Sequence, residues 1–505
     1  MTPRPNILVI MADQMAPSAL ACHGGAAKTP HISALAEDGI VFDAAYCNSP
    51  LCSPSRAVFM SGRLPSKTGV YDNAAEFRSD IPTFAHHLRL AGYRTTLTGK
   101  MHFCGADQLH GFERRLTTDI YPADFGWTPD WDRPEARPSW YHNMSSVIDA
   151  GLCVRSNQID FDEEVVHAAE KDVFDHVRGQ DRQRPFCLVV SLAHPHDPYA
   201  IPERWWKLYS DDEIPPPRLP LDRRKLHPHE ERLWQVCDMD QTPISAEQVR
   251  RARRAYYGAI SYVDDHVGRL MQALKATSLA ENTIVIVTSD HGEMLGERGF
   301  WYKMSFFEGA SRVPLIVHAP KLFSPRRVTQ AVSLADILPT LAEIGNDGAL
   351  PDSVSEIDGR SLLPHLCGKG GHDEAIGEYL AEGAIAPIIM IRRGAHKFVH
   401  SPADPDQLYD LSIDPDECHN LAGDPSHAPV LAALRAEVAE RWDLTALDAA
   451  VRDSQRRRHL VAQALAQGEL ASWDFQPRRD ASREYIRNHM DLDDLEARAR
   501  FPSVR

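Results

Sequence analysis

Asn6-Ile-Leu-Val-Ile-Met-Ala12 runs straight into Asp13-Gln14, and Thr283-Ile-Val-Ile-Val-Thr-Ser289 runs straight into Asp290-His291-Gly292. Both runs are short, continuously apolar and rich in β-branched side chains, the pattern of a strand covered on both faces. Stretches 93–98, 186–193 and 313–319 read the same way. Between them, 247–275 carries Tyr256, Ile260, Val263, Val267, Leu270 and Leu274 at three- and four-residue steps, which predicts an amphipathic helix. A second helix is expected over 333–344, with Pro339 as a kink. Strands alternating with helices predict an α/β layer sandwich, a mostly parallel sheet between helices. Such a sheet gathers ligands beyond the carboxyl ends of its strands.

Working outward, composition shifts at Gly368-Lys-Gly-Gly371, a linker signal. Beyond it, 384–400 reads as two short strands around Arg392-Arg-Gly394, a hairpin. The last fifty residues are charged and helical, with too little apolar surface for a core of their own; such a tail docks on its own domain or on a neighbouring subunit. The expected organisation is a large α/β domain over 1–370, a smaller α+β subdomain over 371–450, and a helical, oligomer-forming tail over 451–505.

The chain of 505 residues has 55 Lys and Arg against 71 Asp and Glu, a formal net charge of −16. Nucleic acids and anionic membranes demand a basic footprint, so neither is expected as a partner. No apolar run approaches the roughly 18 residues of a membrane span. The first six residues pass into a strand with no apolar leader segment, and nine cysteines show neither a CxxC pair nor zinc-type spacing. The expectation is a cytoplasmic protein with reduced thiols.

Acidic residues directly after buried strands are not explained by strand propensity. Asp13 and Asp290 either cap the turns that follow or ligate a cation. Two such ends, with Gln14 beside one and His291 beside the other, favour a divalent ion such as Ca²⁺, Mn²⁺ or Mg²⁺. Cys52, ahead of Ser-Pro-Ser-Arg56, is either a small buried hydrophobe or a nucleophile at a helix N-terminus, where backbone N–H groups and Arg56 hold an anion. Trp127, Trp131, Trp140 and Tyr141, with His142 next, are dense for a chain that is 8% aromatic. They form either plain core or a cage for a quaternary ammonium group.

Cys52-Ser-Pro-Ser-Arg56 resembles the C-x-P-S-R signature of the type I sulfatases, of the alkaline-phosphatase-like superfamily. Asp13-Gln14 is similar to that family's N-terminal metal pair, and Gly99-Lys100-Met-His102 to its G-K-x-H element. His196-Asp-Pro198 resembles the H-x-P element, Asp290-His291-Gly292 the second metal pair, and Lys303 the distal lysine. Gln14 departs from the pattern, since many members carry a second Asp there. Three further stretches, 69–80, 117–129 and 487–496, resemble the choline sulfatase subfamily, so the likeness spans nearly the whole chain.

The resemblance implies a fold, a chemistry and a set of roles. Cys52 would be oxidised to formylglycine by a maturation enzyme, and its hydrated aldehyde would attack sulfur. Asp13, Gln14, Asp290 and His291 would hold the metal, and Arg56, Lys100 and Lys303 would supply fixed positive charge. His196 would protonate the leaving alkoxide and His102 would assist breakdown of the sulfated enzyme; His194, with no motif slot of its own, reads as a histidine that either supports the site from behind or packs. The implied substrate is choline-O-sulfate, with Trp127 and His142 at the ammonium group. The carboxylate that faces the ammonium is either Glu382, which follows the strand-like run 376–380, or one of the tail acids Asp493 and Asp494. The tail acids would complete a neighbour's pocket if the tail crosses over in a homodimer or homotetramer; on a solvated helical face these acids would do neither. The competing readings are a phosphonate monoester or phosphodiester hydrolase or an arylsulfatase on the same scaffold, and a non-catalytic choline-O-sulfate binding protein whose Cys52 stays a thiol.

Overall fold

The computed structural model describes residues 4–179, 182–349, 354–469, 473–477 and 491–499. Its centre is an eight-stranded sheet. In chain order the strands are β1 (Asn6–Ala12), β2 (Ile40–Tyr46), β3 (Arg94–Gly99), β4 (Arg114–Arg115), β5 (Phe186–Leu192), β6 (Thr283–Ser289), β7 (Leu315–His318) and β8 (Arg326–Ser333). Their order across the sheet is β8-β2-β7-β6-β1-β5-β3-β4. β1 lies in the interior, parallel to β5 on one side and β6 on the other, with Ile7 level with both Cys187 and Ile284. Only β7 opposes its neighbours.

Every residue of β1, β5 and β6 is buried, as the unbroken apolar runs require. Side chains alternate between two helical layers. Leu8, Ile10, Val190 and Val287 pack on α2 (Asn157–Arg178) and α3 (Ala246–Ala276), through Val165, Ile260, Val263 and Val267. Ile7, Val9, Val189 and Ile286 pack on α1 (Cys52–Ser61) and α4 (Ile337–Gly345), through Phe59, Ile337 and Leu341. Each such side chain, fully buried, contributes about 1.5–3 kcal/mol.

The expected architecture holds, with two corrections. The segment 333–344 is not one helix: Ser333 ends β8, a short 3₁₀ turn follows, and α4 begins at Ile337. Pro339 therefore lies in the first turn, where a missing N–H breaks no helical bond, and it makes no interior kink. The strands β2 and β8, paired in parallel, have no counterpart among the expected strands.

A second, antiparallel sheet follows the linker: β9 (Glu374–Tyr379), β10 (Ile388–Arg393), β11 (His396–Ser401) and β12 (Asp404–Asp410). The pairing of β10 with β11 is the hairpin around Arg392 and Gly394. Helix α5 (Ala428–Arg441) covers one face through Leu431, Leu434 and Val438. The last described helices are α6 (Leu444–Leu465) and α7 (Leu492–Ala499). None of the described helices is long and apolar enough to cross a membrane.

Candidate active site

β1 and β6 are adjacent and parallel, so Asp13 and Asp290 leave their strand ends side by side, both fully buried. Arg56 of α1 lies between them, also fully buried. Its Nε donates to Asp290 Oδ2 at 2.9 Å and its Nη2 to Asp13 Oδ2 at 3.0 Å. Nη1 donates to Ser191 Oγ at 2.8 Å and to the Lys100 carbonyl at 2.5 Å. Every nitrogen of the guanidinium is thus committed to protein acceptors, so Arg56 organises the carboxylates and does not face the cavity as an anion-binding charge. Lys100 Nζ pairs with Asp13 Oδ2. Burial opposes ionisation of Asp13, but Lys100, with Arg56, holds its carboxyl well below the usual range.

Backbone geometry brings these groups together. Gly99 has φ +96°, and a Cβ there would meet the Ser191 carbonyl oxygen at 1.9 Å. Only glycine lets β3 close on β5 and deliver Lys100. Gln14 (φ 64°), His102 (φ 53°) and Tyr302 (φ 69°) all adopt left-handed backbone. Each costs of order 1 kcal/mol or more, held in place by the surrounding packing.

His291 donates from Nδ1 to the Gly292 carbonyl at 3.0 Å, which leaves the Nε2 lone pair free. Nε2 lies 3.8 Å from Asp13 Oδ1, 3.7 Å from Asp290 Oδ2 and 3.3 Å from Cys52 Sγ. The ligand atoms of Asp13, Cys52, Asp290 and His291 all fall within 4.8 Å of one another. Two carboxylates and a neutral imidazole converging in a dry site suit a divalent ion that prefers oxygen. Gln14 stands beside this group with its amide turned away: Oε1 accepts from Lys303 Nζ at 2.7 Å, and Nε2 donates to Glu293 at 2.5 Å. Glu293, its carboxyl pushed up to about 7 by burial, is a supporting residue that the sequence reading missed.

Cys52 opens α1, as a nucleophile at a helix start requires. The N–H of Ser53, next in the chain, donates to Asn73 Oδ1 at 2.9 Å. Burial, with Asp13 close by, pushes the thiol up to about 12, so an unmodified Cys52 is protonated at neutral pH and a poor nucleophile.

Lys303 Nζ has three acceptors: Gln14 Oε1, His196 Nε2 at 2.8 Å and His142 Nε2 at 3.1 Å. An ammonium only donates, so both Nε2 atoms are unprotonated. His196 then carries its hydrogen on Nδ1, donated to the Asp197 carbonyl at 2.7 Å. Burial, then Lys303, holds both imidazoles well below their usual range. His102 is buried against Tyr121 and Trp127, its ring nitrogens have no hydrogen-bond partner among the described residues, and burial lowers it to about 3. His194 bonds Asp162 Oδ2 at 2.7 Å and packs on Tyr262, a packing role.

A cavity of about 280 Å³ opens onto this machinery. Cys52, His196 and Lys303 line one part of it; Trp127, His142 and Glu382 line the rest, with Asn73, Tyr121, Trp140, Tyr141, Asn143 and Asp197. Tyr121 lies 5.2 Å from Trp127, and Trp127 6.2 Å from Trp140, centroid to centroid. Glu382 is 3% exposed, and its Oε2 has no hydrogen-bond partner among the described residues. Burial pushes its carboxyl up to about 7. Trp131, from the same sequence cluster, is core instead: its Nε1 donates to the Ala381 carbonyl at 3.0 Å. Asp493 and Asp494 are exposed on α7 and do not line this cavity of their own chain. The stretch 487–496 that suggested them lies partly outside the described residues. The added lining residues Asn73 and Tyr121 fall inside 69–80 and 117–129, stretches whose resemblance was visible but whose inward-facing members were not.

The sulfatase family model matches residues 5–346, and a model described as "choline sulfatase enzyme C terminal" matches 449–501. The chain is 47% identical, over 99% of both chains, to a choline-sulfatase of Rhizobium meliloti (strain 1021). It is 28% identical to an arylsulfatase of Clostridium perfringens (strain 13 / Type A), over 81% of this chain and 90% of that one. Among solved structures, a phosphonate monoester hydrolase of Agrobacterium radiobacter superposes with a TM-score of 0.70 at 27% identity, over 88% of this chain and 96% of that one.

Removing the bridging guanidinium tests the charge arrangement. Breaking a buried ion pair costs about 3–5 kcal/mol. Arg56→Met should therefore melt well below wild type in a chelator. Added Ca²⁺ or Mn²⁺ should raise its melting temperature by more than it raises that of wild type, since divalent charge substitutes for the lost cation. Equal melting in chelator would contradict the assigned role.

Proposed function

This chain belongs to the sulfatase family, and from that membership and its cavity we propose that it hydrolyses choline-O-sulfate to choline and sulfate. The observation that carries this reading is one cavity that joins Cys52 to an aromatic wall and a buried carboxylate oxygen without a hydrogen-bond partner among the described residues. A quaternary ammonium has no N–H to donate and is held by aromatic faces and a carboxylate. The full-length relative supports the same substrate.

Formylglycine, formed from Cys52 by a maturation enzyme, would supply the nucleophilic oxygen that the buried thiol lacks. Asp13, Asp290 and His291, with Gln14 alongside, would hold a Ca²⁺, Mn²⁺ or Mg²⁺ ion, which supplies Lewis-acid charge opposite the sulfate oxygens. The chain's own groups then divide the work. Lys100 places fixed positive charge beside the reacting sulfur, preorganised and shielded from water, and Lys303 adds a second cation until the leaving group departs. His196 cannot donate a proton as it stands, because its Nδ1–H is held by the Asp197 carbonyl and its Nε2 is bare. The departing choline alkoxide therefore takes its proton from the Lys303 ammonium: the Nζ–H now directed at His196 Nε2 turns to the alkoxide oxygen, that N–H bond breaks as the O–H bond forms, and His196 acts by holding Lys303 in place. His102, buried and neutral, is assigned to the step that clears sulfate from the enzyme.

Asp493 and Asp494 are assigned to the pocket of a neighbouring subunit in a cytoplasmic homodimer or homotetramer.

Four outcomes test this reading. The peptide carrying Cys52 should show the mass of an aldehyde, and kcat/KM should be highest for choline-O-sulfate when it is compared with an aryl sulfate and a phosphodiester. A higher value for the phosphodiester would move the assignment to a phosphoester hydrolase, and an unmodified thiol in fully matured protein would favour a binding protein. Inhibition by choline should strengthen as pH rises through about 7, because Glu382, raised by burial, ionises there and only the carboxylate attracts the cation. Glu382→Gln should flatten that dependence. Finally, sedimentation should find a dimer or tetramer for the full chain and a smaller species for a chain ending at residue 469; unchanged size would remove the tail from the interface.

A further inference from the structure

The walls of the head-group cavity are loops, and one helix holds them. Arg452, Gln455, Arg456 and His459 of α6 are spaced to share one face, and all four bind the strip just after Trp127. Arg452 donates to the Trp131 carbonyl at 2.8 Å, Gln455 Oε1 accepts from the Trp131 N–H at 2.9 Å, and Arg456 bonds Asp132 at 2.7 Å. His459 Nε2 lies 3.1 Å from the Pro129 carbonyl oxygen. Arg452 also donates to the Ile385 carbonyl at 2.7 Å, in the turn that carries Glu382.

Arg458 turns inward and is 5% exposed. Its guanidinium forks onto both carboxylate oxygens of Asp72, each at 2.7 Å, and Nη1 also donates to Thr128 Oγ1 at 3.0 Å. Asp72 precedes Asn73, which lines the cavity and accepts the Ser53 N–H beside Cys52. Thr128 follows Trp127, which lines the aromatic wall. One group therefore ties the wall that faces the ammonium to the segment that caps the nucleophile's helix. The groups at the sulfate end are held differently, by the central strands and by one another.

We propose that Arg458 is a specificity-determining positioning residue, setting the distance between the head-group wall and the nucleophile so that a substrate spanning both is selected. This rests on the substrate reading above. A substrate that touches both walls depends on their separation; an aryl sulfate engages chiefly the sulfate end. Only arginine fits the place, since a lysine ammonium is a point charge and cannot make the planar two-oxygen fork while also reaching Thr128.

The test is kcat/KM for choline-O-sulfate and for 4-nitrophenyl sulfate in wild type and Arg458→Lys, both matched for Cys52 conversion and for circular dichroism. The ratio of the two values should fall at least about tenfold in the variant, because small misplacements of bound groups are expensive. The loss should appear as a raised KM for choline-O-sulfate and a raised inhibition constant for choline. Equal losses on both esters would mean a purely structural role and overturn the inference. Should Arg458→Lys fail to fold, Thr128→Val decides: it leaves the pair with Asp72 intact and should lower the ratio in the same direction, and an unchanged ratio overturns the inference. A wild type with no preference for choline-O-sulfate overturns the substrate reading together with this one, whereas a preference that survives both substitutions overturns this one alone.

Discussion

Everything at the centre of this molecule depends on pairing two buried carboxylates with cations. Asp13 and Asp290 emerge from adjacent parallel strands, and burying two carboxylates side by side is costly unless each is paired. The guanidinium of Arg56 bonds both and is itself fully buried, and Lys100 adds a second cation at Asp13. Each positive group has a structural reason to be there. Arg56 is one turn into the helix that begins at Cys52, and Lys100 follows the one residue, Gly99, that can pass so close to Ser191. A charge cluster of this kind repays its desolvation only when the geometry is complete, which is why strand ends, helix start and tight turn converge on it.

From that centre the cavity grows by addition. Lys303 fills all three of its donor positions, and in doing so sets the tautomers of His142 and His196. Further out, the aromatic wall and Glu382 sit on loops with little secondary structure of their own, and α6 holds those loops from behind. The buried charge cluster thus belongs to the sheet, while the cavity's aromatic wall belongs to loops braced by a C-terminal helix. Such a division lets one sulfate-cleaving centre serve different alcohols on related chains.

The sequence was most legible where one local rule governs. Runs covered on both faces announce themselves as β1, β5 and β6, and the acids after β1 and β6 stand out because strands do not favour them. It was least legible at the sheet's edge. Arg326-Arg-Val-Thr-Gln, in β8, is polar because an edge strand needs apolar cover on only part of its length, and so it carries no clear alternation. Asp43 interrupts the apolar run of β2, the next strand in, where it pairs with Arg327 of β8.

Amino-acid order by itself determined the α/β class, the helix over α3, the two strand ends that carry Asp13 and Asp290, and the family signature around Cys52, since each rests on neighbours within one turn or one strand. It also placed Trp127, His142 and Glu382 in the candidate cavity. Tertiary structure alone decided that Arg56 serves the carboxylates and leaves the anion to others, that Trp131 is core while Trp127 is wall, that Asn73 and Tyr121 line the cavity, and that Glu293 and Arg458 bond residues beside it. The reason is reach: a hydrogen bond such as that of Arg458 to Asp72 joins residues far apart in the chain, and no periodicity or local propensity records which buried polar group will meet which partner once the layers close.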